Sequence, residues 1–138
     1  MIIENIEQLR KWIEENGIKH FKAEEFICKH CGKLKIDTDL ILKLEDIRTQ
    51  IGKPIFITSA YRCPEYNKQV GGVPDSAHTK GLAVDIACTN SRDRYEILDI
   101  VFKFDLFNRI GIGKSFIHLD IDKEKPQNVV WHYYNKER

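Results

Sequence analysis

Ser76-Ala77-His78-Thr79-Lys80-Gly81-Leu82-Ala83-Val84-Asp85-Ile86-Ala87 decides how this chain folds. Its second half alternates: a period of two puts Leu82, Val84 and Ile86 on one face, and Ala83, Asp85 and Ala87 on the other. That is a strand with one apolar side. On its other side a carboxylate sits between two small residues, which leaves room for something to approach it. The same alternation returns between Ser115 and Ile121, where Ile117, Leu119 and Ile121 face one way and Phe116, His118 and Asp120 the other. Ile110-Gly111-Ile112-Gly113 precedes this arm and reads as the first half of a hairpin. Val129 to Tyr134 makes a last strand, and Pro54-Ile55-Phe56-Ile57-Thr58-Ser59 a short buried one.

Helical patterns fill the intervals. Ile2, Ile6, Leu9 and Ile13 recur at three- and four-residue steps before Gly17, so residues 1–20 read as an N-terminal helical extension of a single domain covering 1–138. A second helix starts at Asp37 or Asp39 and runs through Leu40, Leu42, Leu44 and Ile47 to Gly52. Arg62 to Asp75, with Pro64, Gly71, Gly72 and Pro74, reads as loop with at most one helical turn. A third helix spans about Ser91 to Phe104, capped by Asn90 or Ser91. Helices mixed with neighbouring antiparallel strands, without strict strand–helix–strand alternation, predict an α+β domain with helices packed on one face of a mainly antiparallel sheet. Asp85 and His118 then belong to the opposite, active face.

The bulk properties exclude several classes. With 22 basic and 21 acidic residues interspersed, the net charge is +1, and no basic stripe argues for nucleic acid or a membrane surface. No apolar run approaches the roughly 20 residues of a membrane span. Met1-Ile2-Ile3-Glu4-Asn5 lacks a basic region followed by an apolar stretch, so synthesis and folding are expected in the cytoplasm, without a secretion signal. Cysteines made there read as thiols or ligands, not disulfides.

His78, Asp85 and His118 carry the chemistry. Two imidazoles and one carboxylate, with a fourth position left to water, form the ligand set of a catalytic zinc. Strands pack about 4.8 Å apart, so Asp85 and His118 on paired or next-but-one strands are close enough to share an ion. His20 and His30 read as ordinary satisfied histidines.

Ser76-x-His78-x-x-Gly81-x-Ala83-x-Asp85, followed by a strand His118, resembles the zinc D-alanyl-D-alanine carboxypeptidase family of peptidoglycan metallopeptidases, which share the hedgehog/DD-peptidase fold. The likeness extends to Phe21-Lys22-Ala23-Glu24-Glu25-Phe26, to Ile57-Thr58-Ser59-Ala60-Tyr61-Arg62, and to Asn67 and Val70-Gly71-Gly72, and spans Phe21 to Tyr134. In compactness the chain is similar to phage and prophage cell-wall peptidases. The resemblance implies one zinc ion on His78, Asp85 and His118, and a peptidoglycan stem peptide as substrate, cleaved as a D,D-carboxypeptidase or endopeptidase would. A monomer is the default expectation, and such a protein would reach the wall after release or non-classical export. Arg62 is then expected beside the substrate, clamping a terminal carboxylate or a tetrahedral oxyanion, with Tyr61 and Ser76 as further binding residues. A surface salt bridge for Arg62 and a loop cap for Ser76 are the plainer alternatives.

One position departs from the pattern. Many relatives carry an acidic residue three positions before the second histidine, where this chain has Ser115. Asp120 is the first substitute as general base and His132 the second; Asp120 reads equally as a partner that orients a ligand histidine. Without a base, the domain becomes a zinc-binding module that hydrolyses poorly or not at all. A third reading, His118-x-Asp120 with His132 as the triad of a non-haem iron oxygenase, leaves His78 and Asp85 without a role. Cys28-x-x-Cys31 invites a second zinc, but its spacing to Cys63 and Cys88 does not match a zinc ribbon, and buried unpaired thiols are the default expectation.

Overall fold

A computed structural model describes residues 1–134. The chain runs β1 (Ile2–Ile3), α1 (Ile6–Glu15), a 3₁₀ turn (Ala23–Phe26), β2 (Ile36–Asp37), α2 (Thr38–Ile51), β3 (Ile57–Ser59) and α3 (Pro64–Gln69). A second 3₁₀ turn (Ala77–Lys80), β4 (Ala83–Ala87), α4 (Ser91–Lys103), β5 (Arg109–Ile112), β6 (Phe116–Asp120) and β7 (Val129–His132) complete it. The main sheet has the order β3-β4-β6-β5-β7, and β1 and β2 form a separate ladder. Every pairing in the main sheet is antiparallel except β5 with β7. The expected α+β class and its mainly antiparallel sheet are observed.

Local chemistry explains the element ends. Asp37 caps α2 by accepting from the Asp39 N–H at 2.9 Å, and Gly52 closes it in the left-handed conformation, φ +71°. Asn90 caps α4 through Asp93 N at 2.9 Å. At the N-terminus the helix starts later than the apolar spacing suggests. Asn5 takes the cap position, accepting from Gln8 N at 2.9 Å, and Ile2–Ile3 instead pair with Ile36–Asp37. Ile3 is fully buried and belongs to the main core, whereas Met1 and Ile2 stay exposed.

The predicted apolar faces hold, with two local exceptions. Val84, Ile86, Ile110, Ile117 and Leu119 share one core cluster with Leu40, Leu44 and Ile47 of α2 and Ile97 and Val101 of α4. In α2 the buried face takes Ile41 and leaves Leu42 outside. The strand expected over 54–59 shrinks to Ile57–Ser59 at the sheet edge, with an irregular register against β4 and Phe56 65% exposed.

Across the strands, register builds one row on the other side of the sheet. Ser59 pairs with Asp85, Asp85 with His118, His118 with Gly111, and Gly111 with Trp131. Four hydrogen-bonded strands thus fix the lateral order of a carboxylate, an imidazole and an indole.

Candidate metal centre

His78 enters this row from the second 3₁₀ turn. Ser76 caps that turn, its Oγ accepting from His78 N at 3.2 Å, and Gly81 ends it at φ +77°. A Cβ at Gly81 would lie 2.6 Å from the Lys35 carbonyl oxygen, so glycine is required both by the backbone angle and by the close crossing. The turn leaves His78 2% exposed, with Nε2 3.1 Å from Asp85 Oδ1. His118 Nδ1 approaches the same oxygen at 3.0 Å. One ligand atom from each of the three residues lies within 4.8 Å of the others.

Outer partners determine which ring nitrogens carry protons. His78 Nδ1 lies 2.6 Å from the Ala60 carbonyl, which can only accept, so Nδ1 donates and Nε2 presents its lone pair inward. His118 Nε2 lies 2.7 Å from Asp120 Oδ2. The other Asp120 oxygen accepts from Arg109 Nε at 2.7 Å and from Asp122 N at 3.0 Å. Asp120 is therefore an acceptor towards His118, and in the neutral ring the Nδ1 lone pair then points at Asp85. With both rings neutral, two nitrogen lone pairs and a carboxylate oxygen converge here, an arrangement that a cation satisfies. Tetrahedral nitrogen and oxygen ligands on zinc lie about 3.3 Å apart, close to the observed separations. The donor set fits zinc.

Electrostatics agree with this picture. Although burial opposes it, the charged and hydrogen-bonding imidazoles of His78 and His118 hold the Asp85 carboxyl far below the usual carboxylate range. Burial pushes His78 down, favouring the neutral ring that ligates metal. His118 moves up: burial disfavours its charge, but Asp120 and Asp85 outweigh that in the metal-free protein.

The three residues open into a cavity of about 540 Å³. Arg62 and Arg109 flank it with positive charge. Arg62 donates to Ser59 Oγ at 3.0 Å, Asn67 Oδ1 at 3.3 Å and Asp85 Oδ2 at 3.1 Å. Arg109 stacks on Trp131, its guanidinium carbon 4.9 Å from the ring centroid. Trp131 and Tyr133 form an aromatic wall beside His118, at centroid distances of 5.5 and 6.5 Å. Burial pushes the Tyr133 hydroxyl up to about 12, so it stays protonated. Gly111 makes room for the wall: a Cβ there would lie 2.7 Å from both Trp131 Nε1 and Tyr133 Cε2.

Of the residues singled out from sequence, Ser76, His78, Asp85, His118, Arg62 and Asp120 line this cavity. Tyr61 is not among its walls; it lies near Cys28, Cys31 and Cys63, and burial raises its hydroxyl pKa. His132 faces away, because alternation along β7 turns Trp131 toward His118 and His132 outward, stacked 5.0 Å from Tyr134. Ser115 is exposed before β6. Arg109, Trp131 and Tyr133 were not anticipated. The period-two pattern already places Arg109 with Gly111, and Trp131 with Tyr133, but only the parallel register of β7 brings the aromatic pair over His118. Cys28, Cys31 and Cys63 also come together, apart from this cavity, whereas Cys88 lies elsewhere, its Sγ 3.7 Å from Asn90 O.

A family model described as Peptidase M15 matches residues 19–120, a span that holds every residue of the His78–Asp85–His118 centre and its Asp120 support. No curated protein matches the chain, and no solved structure does.

Proposed function

The chain belongs to the peptidase M15 family, a family of zinc metallopeptidases, and we propose that it hydrolyses an amide bond in the stem peptide of bacterial peptidoglycan. The convergence of His78 Nε2, Asp85 Oδ1 and His118 Nδ1 at the floor of a cationic cavity carries this reading. These three residues would hold the zinc. When bound, the ion supplies a Lewis acid that polarises a carbonyl and lowers the pKa of a coordinated water toward about 7.

The chain's own residues do the rest. Ala60 O and the Asp120 carboxylate lock the two rings in the ligating tautomer and orientation. In this reading Asp120 is a positioning residue and not the proton acceptor, since both its oxygens are taken by His118, Arg109 and Asp122 N and it is 1% exposed. Arg62 and Arg109 place fixed positive charge where a peptide carboxylate or a developing oxyanion would lie. A substrate with a free C-terminal carboxylate beside the scissile bond, as in a D-alanyl-D-alanine end, suits that charge. The Trp131–Tyr133 wall limits water on the His118 side.

A second reading is a zinc-binding module that recognises wall peptide without cleaving it. Its support is specific: the cavity's carboxylates are Asp85 and Asp120, and both are already engaged. Digestion of purified peptidoglycan with metal-stripped and zinc-restored protein, with mass analysis of the muropeptides, separates the two. Zinc-dependent loss of a terminal D-alanine, or opening of a cross-link, is expected. Intact muropeptides from several wall types would establish the module instead.

A further inference from the structure

Three thiols and an imidazole gather at the exit of β3. The Sγ atoms of Cys28, Cys31 and Cys63 all lie within 4.8 Å of one another. Sulfur ligands on a tetrahedral zinc lie about 3.8 Å apart, and a sulfur and an imidazole nitrogen about 3.6 Å. His30 Nδ1 stands 3.5 Å from Cys63 Sγ. The His30 ring is stacked on Tyr66 at 5.8 Å and 5°. No disulfide joins any of these cysteines.

The backbone around them is shaped to present sulfur. In Cys28-Lys29-His30-Cys31-Gly32, the Gly32 N–H donates to Cys28 O at 2.9 Å and the Cys28 N–H donates to Lys33 O at 2.8 Å. Gly32 sits at φ +73°, the left-handed conformation that lets so tight a turn follow the second thiol. Cys63 N donates to Cys28 Sγ and Tyr66 N to Cys63 Sγ, each at 3.4 Å. The amide donor aimed at Cys28 Sγ favours the thiolate there, the form that binds metal. Cys28 is 1% exposed, so a thiolate there is shielded from water and gains from a bound cation.

We propose that the Cys28, Cys31 and Cys63 thiolates bind a second, structural zinc ion, with His30 turning in from beside Cys63 to fill the fourth position. Thiolates select zinc over hard cations such as magnesium or calcium, and four protein ligands leave no open position for chemistry. The ion staples the loop after Phe26 to the segment leaving a strand of only three residues. That segment also serves the first centre. Ala60 O holds His78 Nδ1 at 2.6 Å, Arg62 N donates to His78 O at 3.2 Å, and Cys63 follows directly. The cysteine zinc thereby fixes the position of Arg62 and of one ligand histidine.

Cobalt(II) is the probe. Metal-stripped, reduced protein titrated with cobalt should show thiolate-to-cobalt charge-transfer absorption, complete by two ions per chain in the wild type and by one where the other centre is removed. The band should persist in His78→Ala/His118→Ala, which lacks the other centre, so this result stands whatever happens to the peptidase reading. It should be lost in Cys28→Ser/Cys31→Ser, lose intensity in Cys63→Ser, and shift in His30→Ala. No charge-transfer band in the reduced wild type would overturn the proposal without recourse to any variant. So would a band of unchanged intensity in Cys63→Ser, or a disulfide among these cysteines in protein purified with zinc present.

Discussion

Asp120→Asn distinguishes a carboxylate that orients a ligand from one that takes a proton. The wild-type carboxylate accepts from three donors: His118 Nε2 and Arg109 Nε, each at 2.7 Å, and Asp122 N at 3.0 Å. An amide of the same shape has one oxygen. Arg109 and the Asp122 N–H can only donate, so they claim it, and the new NH₂ group faces His118 Nε2. The imidazole must then accept at Nε2 and carry its proton on Nδ1, the atom that should face the metal. Losing such an orienting partner typically lowers metal affinity 10–100-fold, about 1.4–2.7 kcal/mol. Alanine would be a poorer probe, because leaving the buried Arg109 charge unpaired costs about 3–5 kcal/mol and confounds folding with function. The assay is reactivation of chelator-stripped protein by buffered zinc, with peptidoglycan turnover as readout. The zinc concentration for half-activation should rise 10–100-fold, with most of the rate recovered at saturating zinc. A general base behaves oppositely: unchanged half-activation and a saturated rate about 10²–10⁴-fold lower. That outcome would refute the assignment of Asp120 as a positioning residue.

Three further outcomes follow from the same geometry. Gly111→Ala places a methyl 2.7 Å from Trp131 and Tyr133, and should lower stability by about 1–3 kcal/mol in denaturant melts while weakening turnover. His132→Ala should leave the rate unchanged and stability within about 0.5 kcal/mol, since the ring faces away from the centre; a large rate loss would contradict that placement. In the metal-free protein, Asp120 and Asp85 outweigh burial and raise the His118 pKa. Its contribution is then fully present below the unfolded value of about 6.5 and is lost as pH rises through the raised folded value. Zinc requires the neutral ring, so the melting-temperature gain from zinc, taken as wild type minus His118→Ala, should grow with pH over that interval; a gain that shrinks would refute it.

Much of the centre was legible because strands alternate and helices announce their ends. Asp37 and Gly52 bound α2 as their chemistry requires, and Asp85 and His118 fall on the polar side of two strands whose register makes them neighbours. What could not be read is what depends on tertiary pairing. β7 joins β5 in parallel, and that choice alone turns Trp131 and Tyr133 over His118 and sends His132 away. Ile2 carries helical spacing with Ile6, Leu9 and Ile13, but Asn5 offers a stronger cap and β2 a partner for Ile2 and Ile3. Cys63 lies 35 positions beyond Cys28 and joins it only because the backbone folds back after β3. Arg109 gave no signal beyond its place at the start of a strand, and its value lies in the Asp120 it holds.

The most direct test is anomalous scattering at the zinc edge from crystals of zinc-loaded protein. A peak is expected about 2.0–2.2 Å from His78 Nε2, Asp85 Oδ1 and His118 Nδ1, with one position open to the cavity. Zinc-loaded crystals with no peak among these three atoms would contradict the account at its centre.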